Sequence, residues 1–156
     1  MAVITHDIDA LFLIRFFIKD LHQQIVEMHK ELKETLTGPI VVYRGVSEPS
    51  SEAIELLKQK KLISLNGFVS CTLDKHVALG FASPSSDRVC LLMEILIDIE
   101  KDTTQFASIS SVSENPDEQE ILITLNSIFS VNDIYYSETT TEKIWYVKLS
   151  LVDKSE

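Results

Sequence analysis

Three short segments of the chain carry side chains that could do chemistry together. The first is Tyr43-Arg44-Gly45, which follows the apolar run Ile40-Val41-Val42. A guanidinium directly after such a run must reach solvent or an anion, because burying it unpaired is costly. Its planar fork suits a phosphate or a carboxylate, and the glycine lets a ligand approach the backbone. Alone, the same residues also describe a surface ion pair at a strand end. The second segment is Asn66-Gly67-Phe68-Val69-Ser70-Cys71-Thr72-Leu73-Asp74. Side chains alternate along a strand, so Ser70 and Thr72 share a face and Cys71 points the other way. The bland alternative is two half-exposed positions before a helix cap. The third is Asp117-Glu118-Gln119-Glu120, ahead of Ile121-Leu122-Ile123. Two carboxylates two residues apart at a strand start lie on one face and can divide labour, one ionised while the other handles a proton. An acidic turn in an acidic protein accounts for them equally.

Several chemistries are set aside by what surrounds these segments. No G-x-S-x-G elbow encloses Ser70, so a hydrolase triad is not indicated. The sequence has no GxGxxG and no Walker loop, which argues against a Rossmann or P-loop nucleotide site. Its two cysteines, Cys71 and Cys90, form no CxxC, so neither a zinc site nor a disulfide scaffold is expected.

The elements that must position these residues follow from periodicity. Leu11, Ile14, Ile18, Leu21, Ile25, Met28 and Leu32 recur at steps of three and four, the stripe of an amphipathic helix. That stripe covers the core of the same domain, or else forms a partner-binding helix, and Gly38-Pro39 ends it. Ile40 to Tyr43 reads as a short buried strand. Ser51 to Lys60 reads as a helix opened by Pro49-Ser50-Ser51, with Ile54, Leu56 and Leu57 facing inward. Leu62 to Thr72 reads as a strand broken by Asn66-Gly67. Asp74 caps a short helix through Phe81. Arg88 to Ile99, Glu120 to Leu125 and Ile144 to Leu151 read as further strands. One early helix followed by strands and short helices, without regular βαβ alternation, predicts an α+β fold. Residues 1–156 are expected to form one domain, with 1–38 a helical N-terminal part and 39–156 a mixed sheet core.

Composition bounds the partners. An apolar fraction of 45% and a charged fraction of 24% are those of a globular protein, so disordered and low-complexity classes drop out. The formal net charge of -10 opposes binding to nucleic acid or to an anionic membrane, and favours approach to a basic protein surface. The apolar run from Ala10 to Ile18 is too short to span a bilayer and contains Arg15. Asp7 and Asp9 precede it where a secretory signal would carry positive charge. A cytoplasmic setting is therefore expected.

Taken in order, Tyr43-Arg44-Gly45, then Asn66 to Asp74, then Glu118-Gln119-Glu120 with its apolar strand resemble the R-S-E signature of mono-ADP-ribosyltransferases. The likeness is to the arginine-specific branch, which includes bacterial toxins, and it runs from about Val41 to Val131. It implies an ADP-ribosyltransferase-like fold, two roughly perpendicular β-sheets around a NAD⁺ cleft behind an N-terminal helical part. It implies NAD⁺ as co-substrate, no metal, and a target protein with an acceptor arginine. By the same resemblance Arg44 would bind the NAD⁺ phosphates, Gly45 would offer its backbone to the nicotinamide carboxamide, and Phe81 would stack on the nicotinamide. Ser70 would orient Glu120, the catalytic glutamate. Glu118 would orient the acceptor guanidinium, with the loop Ser108 to Asp117 facing the target. The family's usual Ser-Thr-Ser is here Ser70-Cys71-Thr72, which keeps the first serine and a hydroxyl at the third place. Two other readings stand beside this one: a NAD⁺ glycohydrolase that passes the sugar to water, and a catalytically silent binding module.

Overall fold

A computed structural model of the chain describes residues 19–30, 38–65, 67–98, 106–108, 120–124 and 127–152. Residues 19–30 are helical and are called α1. After it come β1 (Ile40–Ser47), α2 (Ser51–Gln59), β2 (Leu62–Leu65), β3 (Val69–Thr72) and α3 (Lys75–Ala82). The remaining elements are β4 (Val89–Ile97), β5 (Phe106–Ser108), β6 (Glu120–Ile123), β7 (Ser127–Glu138) and β8 (Lys143–Leu151). The architecture is α+β. The parts of the expected first helix on either side of 19–30 lie largely outside the described residues. Among the described residues no helix is long and apolar enough to cross a membrane.

The strands lie in the order β2-β7-β8-β4-β1-β3-β6-β5. Among the described residues only β4 and β8 run parallel; the other neighbours are antiparallel. The order is continuous, but its two parts are unequally joined. β1 and β4 pair along their whole length, from Ile40 opposite Ile97 to Ser47 opposite Cys90. β1 and β3 share one register pair, Tyr43 opposite Thr72. The two sheets that the resemblance implies are thus one hydrogen-bonded order with a narrow seam at that pair.

The core sits on one face of this order. Val42, Leu91, Met93, Ile95, Phe106, Ile121, Ile123, Phe129, Val147 and Leu149 alternate inward from their strands and meet Ile54 and Leu57 of α2. Ser50 caps α2 by accepting the Ala53 N–H at 3.0 Å, which satisfies a donor that has no partner inside the helix. Leu56 was expected inside but is 48% exposed. It sits one residue from Leu57 and two from Ile54, and at 3.6 residues per turn it falls on the opposite side. On the other face α3 covers Leu92 and Ile144 through Ala78.

Three expectations change. β1 continues past Tyr43, so Arg44 and Gly45 are mid-strand residues, held there by pairing with Met93 and Leu92. β2 and β3 are two separate strands at distant places in the order and do not pair with each other. β7, the longest strand, and β5 arise from segments whose polar residues hide them. β7 carries a register shift between Val131 and Asp133, which breaks the period-2 pattern that marks a strand.

Candidate active site at the strand seam

Beyond Tyr43 and Thr72 the β1–β3 ladder stops, and a cavity of about 390 Å³ opens there. Tyr43, Arg44, Gly45, Ser70, Thr72, Phe81 and Glu120 are among its lining residues. That volume falls within the ~300–1,000 Å³ typical of small-molecule clefts. Of the residues singled out from sequence, Arg44, Gly45, Ser70, Phe81 and Glu120 come together at this place. Glu118 lies outside the described residues. Of the expected target-facing loop only its first residue, Ser108, is described, and it belongs to β5.

Each side chain is held by an identifiable element. Glu120 opens β6 with its Cα opposite Thr72, and Ser70 lies opposite Leu122. Ser70 and Glu120 are therefore diagonal neighbours on one sheet face, within reach of each other. The Ser70 hydroxyl donates to Glu120 Oε2 at 2.5 Å, a short charge-assisted hydrogen bond that fixes the carboxylate. Arg44 Nη1 donates to the Ser70 main-chain carbonyl at 2.9 Å. The guanidinium thus bridges the two strands where their ladder has ended. Thr72 was open to reading as half-exposed but is buried, and its hydroxyl accepts the Asp74 N–H at 3.1 Å.

Cys71 points away from Ser70 into the core, as strand alternation requires. Burial pushes its thiol up to about 12; the Arg44 guanidinium opposes that shift and the Glu120 carboxylate adds to it. Cys71 and Cys90 are both free and buried.

The second wall of the cavity is α3. Asp74 caps it by accepting the His76 N–H at 2.9 Å. The Cys90 thiol donates to the Ala82 carbonyl at 2.9 Å and takes up one of the acceptors left over at its last turn. Gly45 is what lets this helix sit where it does. A Cβ at Gly45 would stand 1.9 Å from the Ala78 carbonyl oxygen and 3.0 Å from the Ala82 nitrogen. The glycine that sequence reasoning reserved for ligand approach is thus required by the helix. Phe81, placed in sequence near the end of a short helix, is indeed on α3 and is 61% exposed at the cavity. Ala78 is a lining residue that the sequence reading missed. The small pair Ala78 and Ala82, one turn apart, was the available sign of a close helix approach.

α1 supports the far end of the strand that carries Glu120. His22 Nδ1 and Thr124 Oγ1 share a hydrogen bond at 2.5 Å, directly after β6. His29 Nδ1 lies 3.2 Å from both the N–H and the carbonyl of Phe106 in β5. Ile25, between the two histidines, is buried.

The α+β fold thus gathers an arginine, a serine-bound glutamate and an exposed aromatic around one seam. The chain belongs to the ADP-ribosyltransferase exoenzyme family, whose profile matches residues 15–153. No curated protein matches it by sequence. Among solved structures it resembles Plx2a, an ADP-ribosyltransferase toxin from Paenibacillus larvae, with TM-score 0.61 and 17% identity over 86% of this chain and 72% of that one. It also resembles the ADP-ribosyltransferase HopU1 of Pseudomonas syringae pv. Tomato DC3000, with TM-score 0.58 and 21% identity over 79% of this chain. A third likeness is to the Vibrio splendidus toxin Vis, solved in complex with agmatine, with TM-score 0.53 and 22% identity over 88% of this chain. At these identities the likeness is one of fold. The chain spans half the length of HopU1 and 60% of that of Vis.

Proposed function

We propose that residues 1–156 act as one catalytic domain that transfers ADP-ribose from NAD⁺ to an arginine of a target protein and releases nicotinamide. The observation that carries this reading is the hydrogen bond from Ser70 to Glu120, in one cavity with Arg44. A carboxylate fixed before the substrate arrives needs no reorganisation when positive charge develops on the ribose, and that is where such a group has most effect. In this reading Glu120 is the catalytic glutamate and Ser70 its positioning residue. Arg44 takes the NAD⁺ phosphates, and the backbone at Gly45 receives the nicotinamide carboxamide. Phe81, an exposed ring at the cavity, stacks on the nicotinamide. Glu118 assists the acceptor guanidinium, which is normally protonated and a poor nucleophile until a carboxylate relieves it of a proton.

The co-substrate supplies a good leaving group, since nicotinamide departs neutral. The protein then has to hold the phosphates, orient the ribose and exclude water. The net charge of -10 favours approach to a basic target surface, which is also the kind that offers arginines. A cytoplasm, the chain's own or a host's, is the setting in which NAD⁺ and such a target meet.

The test is NAD⁺ consumption with agmatine as a minimal guanidino acceptor, comparing the native chain with Glu120→Ala. ADP-ribosyl-agmatine from the native chain, and none from the variant, is the expected result. Nicotinamide and free ADP-ribose without the adduct would replace transfer by hydrolysis. If NAD⁺ is neither bound nor consumed, the reading gives way to a binding module.

A further inference from the structure

We infer that a second cavity, on the other flank of α3 from the first, seats an acidic side chain of the target protein and so helps select which arginine is modified. This deepens the arginine-directed reading above and rests on it; the test separates the two.

The two cavities share one face of the sheet. Glu120, Thr72, Tyr43, Glu94 and Lys148 lie opposite one another in register across β6, β3, β1, β4 and β8. Side chains paired in this way project from the same face. Glu120, Thr72 and Tyr43 line the first cavity, Glu94 and Lys148 the second. α3 stands between them. At about 3.6 residues per turn, Ala78 lies midway round the helix between Lys75 and Phe81. Ala78 is buried against Leu92, Phe81 lines the first cavity and Lys75 the second.

Size and charge decide what fits. The second cavity measures about 180 Å³, below the ~300 Å³ at which small-molecule clefts begin, and is of the size of one side chain. Lys75 and Lys148 set two ammonium groups on it against one carboxylate, Glu94, in a chain whose formal net charge is -10. Lys148 Nζ stands 4.0 Å from Glu94 Oε2, too far for a hydrogen bond. Asp133, the register partner of Lys148 on β7, is outside the lining. An incoming carboxylate is therefore the group that these ammonium donors suit. Beside them Tyr146 stacks on Tyr135, with ring centres 5.2 Å apart, and Lys75 Nζ lies 5.8 Å from the Tyr146 ring centre. Tyrosine rings offer a partner large contact area at little cost in conformational entropy.

The spacing points to the target as the source of that carboxylate. With ~4.8 Å between neighbouring strands, Glu94 and Lys148 are roughly 14 and 19 Å from Glu120. A protein interface buries about 800 Å² on each partner, a patch roughly 30 Å across. A target whose arginine enters the first cavity thus lies over the second as well. In an extended segment the same span is roughly four to six residues at ~3.3 Å each.

The experiment follows NAD⁺-dependent modification of Gly/Ser peptides that carry one arginine and a single glutamate, walked residue by residue along both sides of it. Agmatine and a glutamate-free peptide run in parallel. kcat/KM is expected to peak with glutamate about four to six residues from the arginine on one side. The gain over the glutamate-free peptide should be about fivefold, the upper range for a partly exposed ion pair. In the double variant Lys75→Glu, Lys148→Glu that advantage should pass to peptides with lysine at the same position, while agmatine modification stays as in the native chain. Agmatine modified with a flat scan, with an optimum that survives the charge reversal, or with no peptide modified, overturns the inference and leaves the proposed function standing. A flat scan with stabilisation by sodium phosphate that the double variant lacks assigns the cavity to a free anion instead. Absence of agmatine and peptide products alike removes both.

Discussion

The two sides of β1 are built on opposite rules. Towards β4 and β8 the ladders run unbroken for most of each strand, and the inward residues Val42, Leu91, Met93, Ile95, Val147 and Leu149 are buried. Towards β3 the ladder is a single pair, and polar side chains occupy the place where strands would otherwise meet. Full pairing satisfies the backbone and leaves no room for a ligand. Withheld pairing leaves a cleft, with Arg44 spanning it to the Ser70 carbonyl. The difference teaches that the site is made by stopping a ladder, and that the fully paired side holds the seam open.

Substitutions on the two sides should therefore fail differently. The largest effect is expected at the seam. Glu120→Gln keeps the volume and removes the charge, so turnover of NAD⁺ with agmatine should fall by about 10³-fold, the upper range for losing a preorganised electrostatic group. The thermal unfolding midpoint should hardly move, because Glu120 opens a strand and is only half-buried. A large drop in the midpoint would mean that the glutamate serves the fold instead. Across β1, Gly45→Ala reverses the pattern. The added Cβ meets the α3 backbone at Ala78, which cannot yield as a flexible side chain would. A loss of roughly 3 kcal/mol in denaturant unfolding is expected, at the upper end for overpacking. An alanine variant as stable as the native chain would show that α3 is not held by this contact.

These contrasts also explain what the sequence could and could not reveal. Arg44, Ser70 and Glu120 stood out because each sits beside an apolar strand segment in an order that resembles a known signature. Their grouping at one cavity then follows from register, Thr72 facing both Tyr43 and Glu120. The α+β class was legible from the mixture of periods. The reason for Gly45 was not, because it depends on a helix more than thirty residues later. β7 was hidden by Asn132 and Asp133 at its bulge, where the alternation that identifies a strand is lost. Leu56 misled because three apolar residues in four positions cannot all face one way on a helix. Local chemistry was readable; contacts made at a distance were not.

Ser70→Ala should cost less than Glu120→Gln, because β6 still places the glutamate when its donor is gone. A hydrogen bond to a charged group contributes ~1.5–3 kcal/mol, so kcat should fall by about 10- to 100-fold. Ser70→Thr, which keeps the hydroxyl, should recover most of it. Failure of the threonine variant to recover activity would show that the backbone at Ser70, where Arg44 is anchored, matters more than the hydroxyl.

The smallest effect lies directly behind Ser70 and tests whether the core side of β3 is as dry as its neighbours in the paired half. With the Cys71 thiol pushed up to about 12 from an ordinary 9, the folded chain holds a proton that the unfolded chain releases. Stability from this residue is therefore fully present below pH 9 and is lost as the pH rises from 9 towards 12. The slope is about 1.4 kcal/mol per pH unit in that window. Cys71→Ala cannot ionise, so its deficit against the native chain, set by the lost packing, should be constant from pH 7 to 8.5 and shrink above pH 9. Urea unfolding of both proteins across that range measures the gap. A gap that stays constant to pH 10.5 would mean that water or a rearranged seam reaches the thiol, and that the two sides of β1 differ less than their pairing implies.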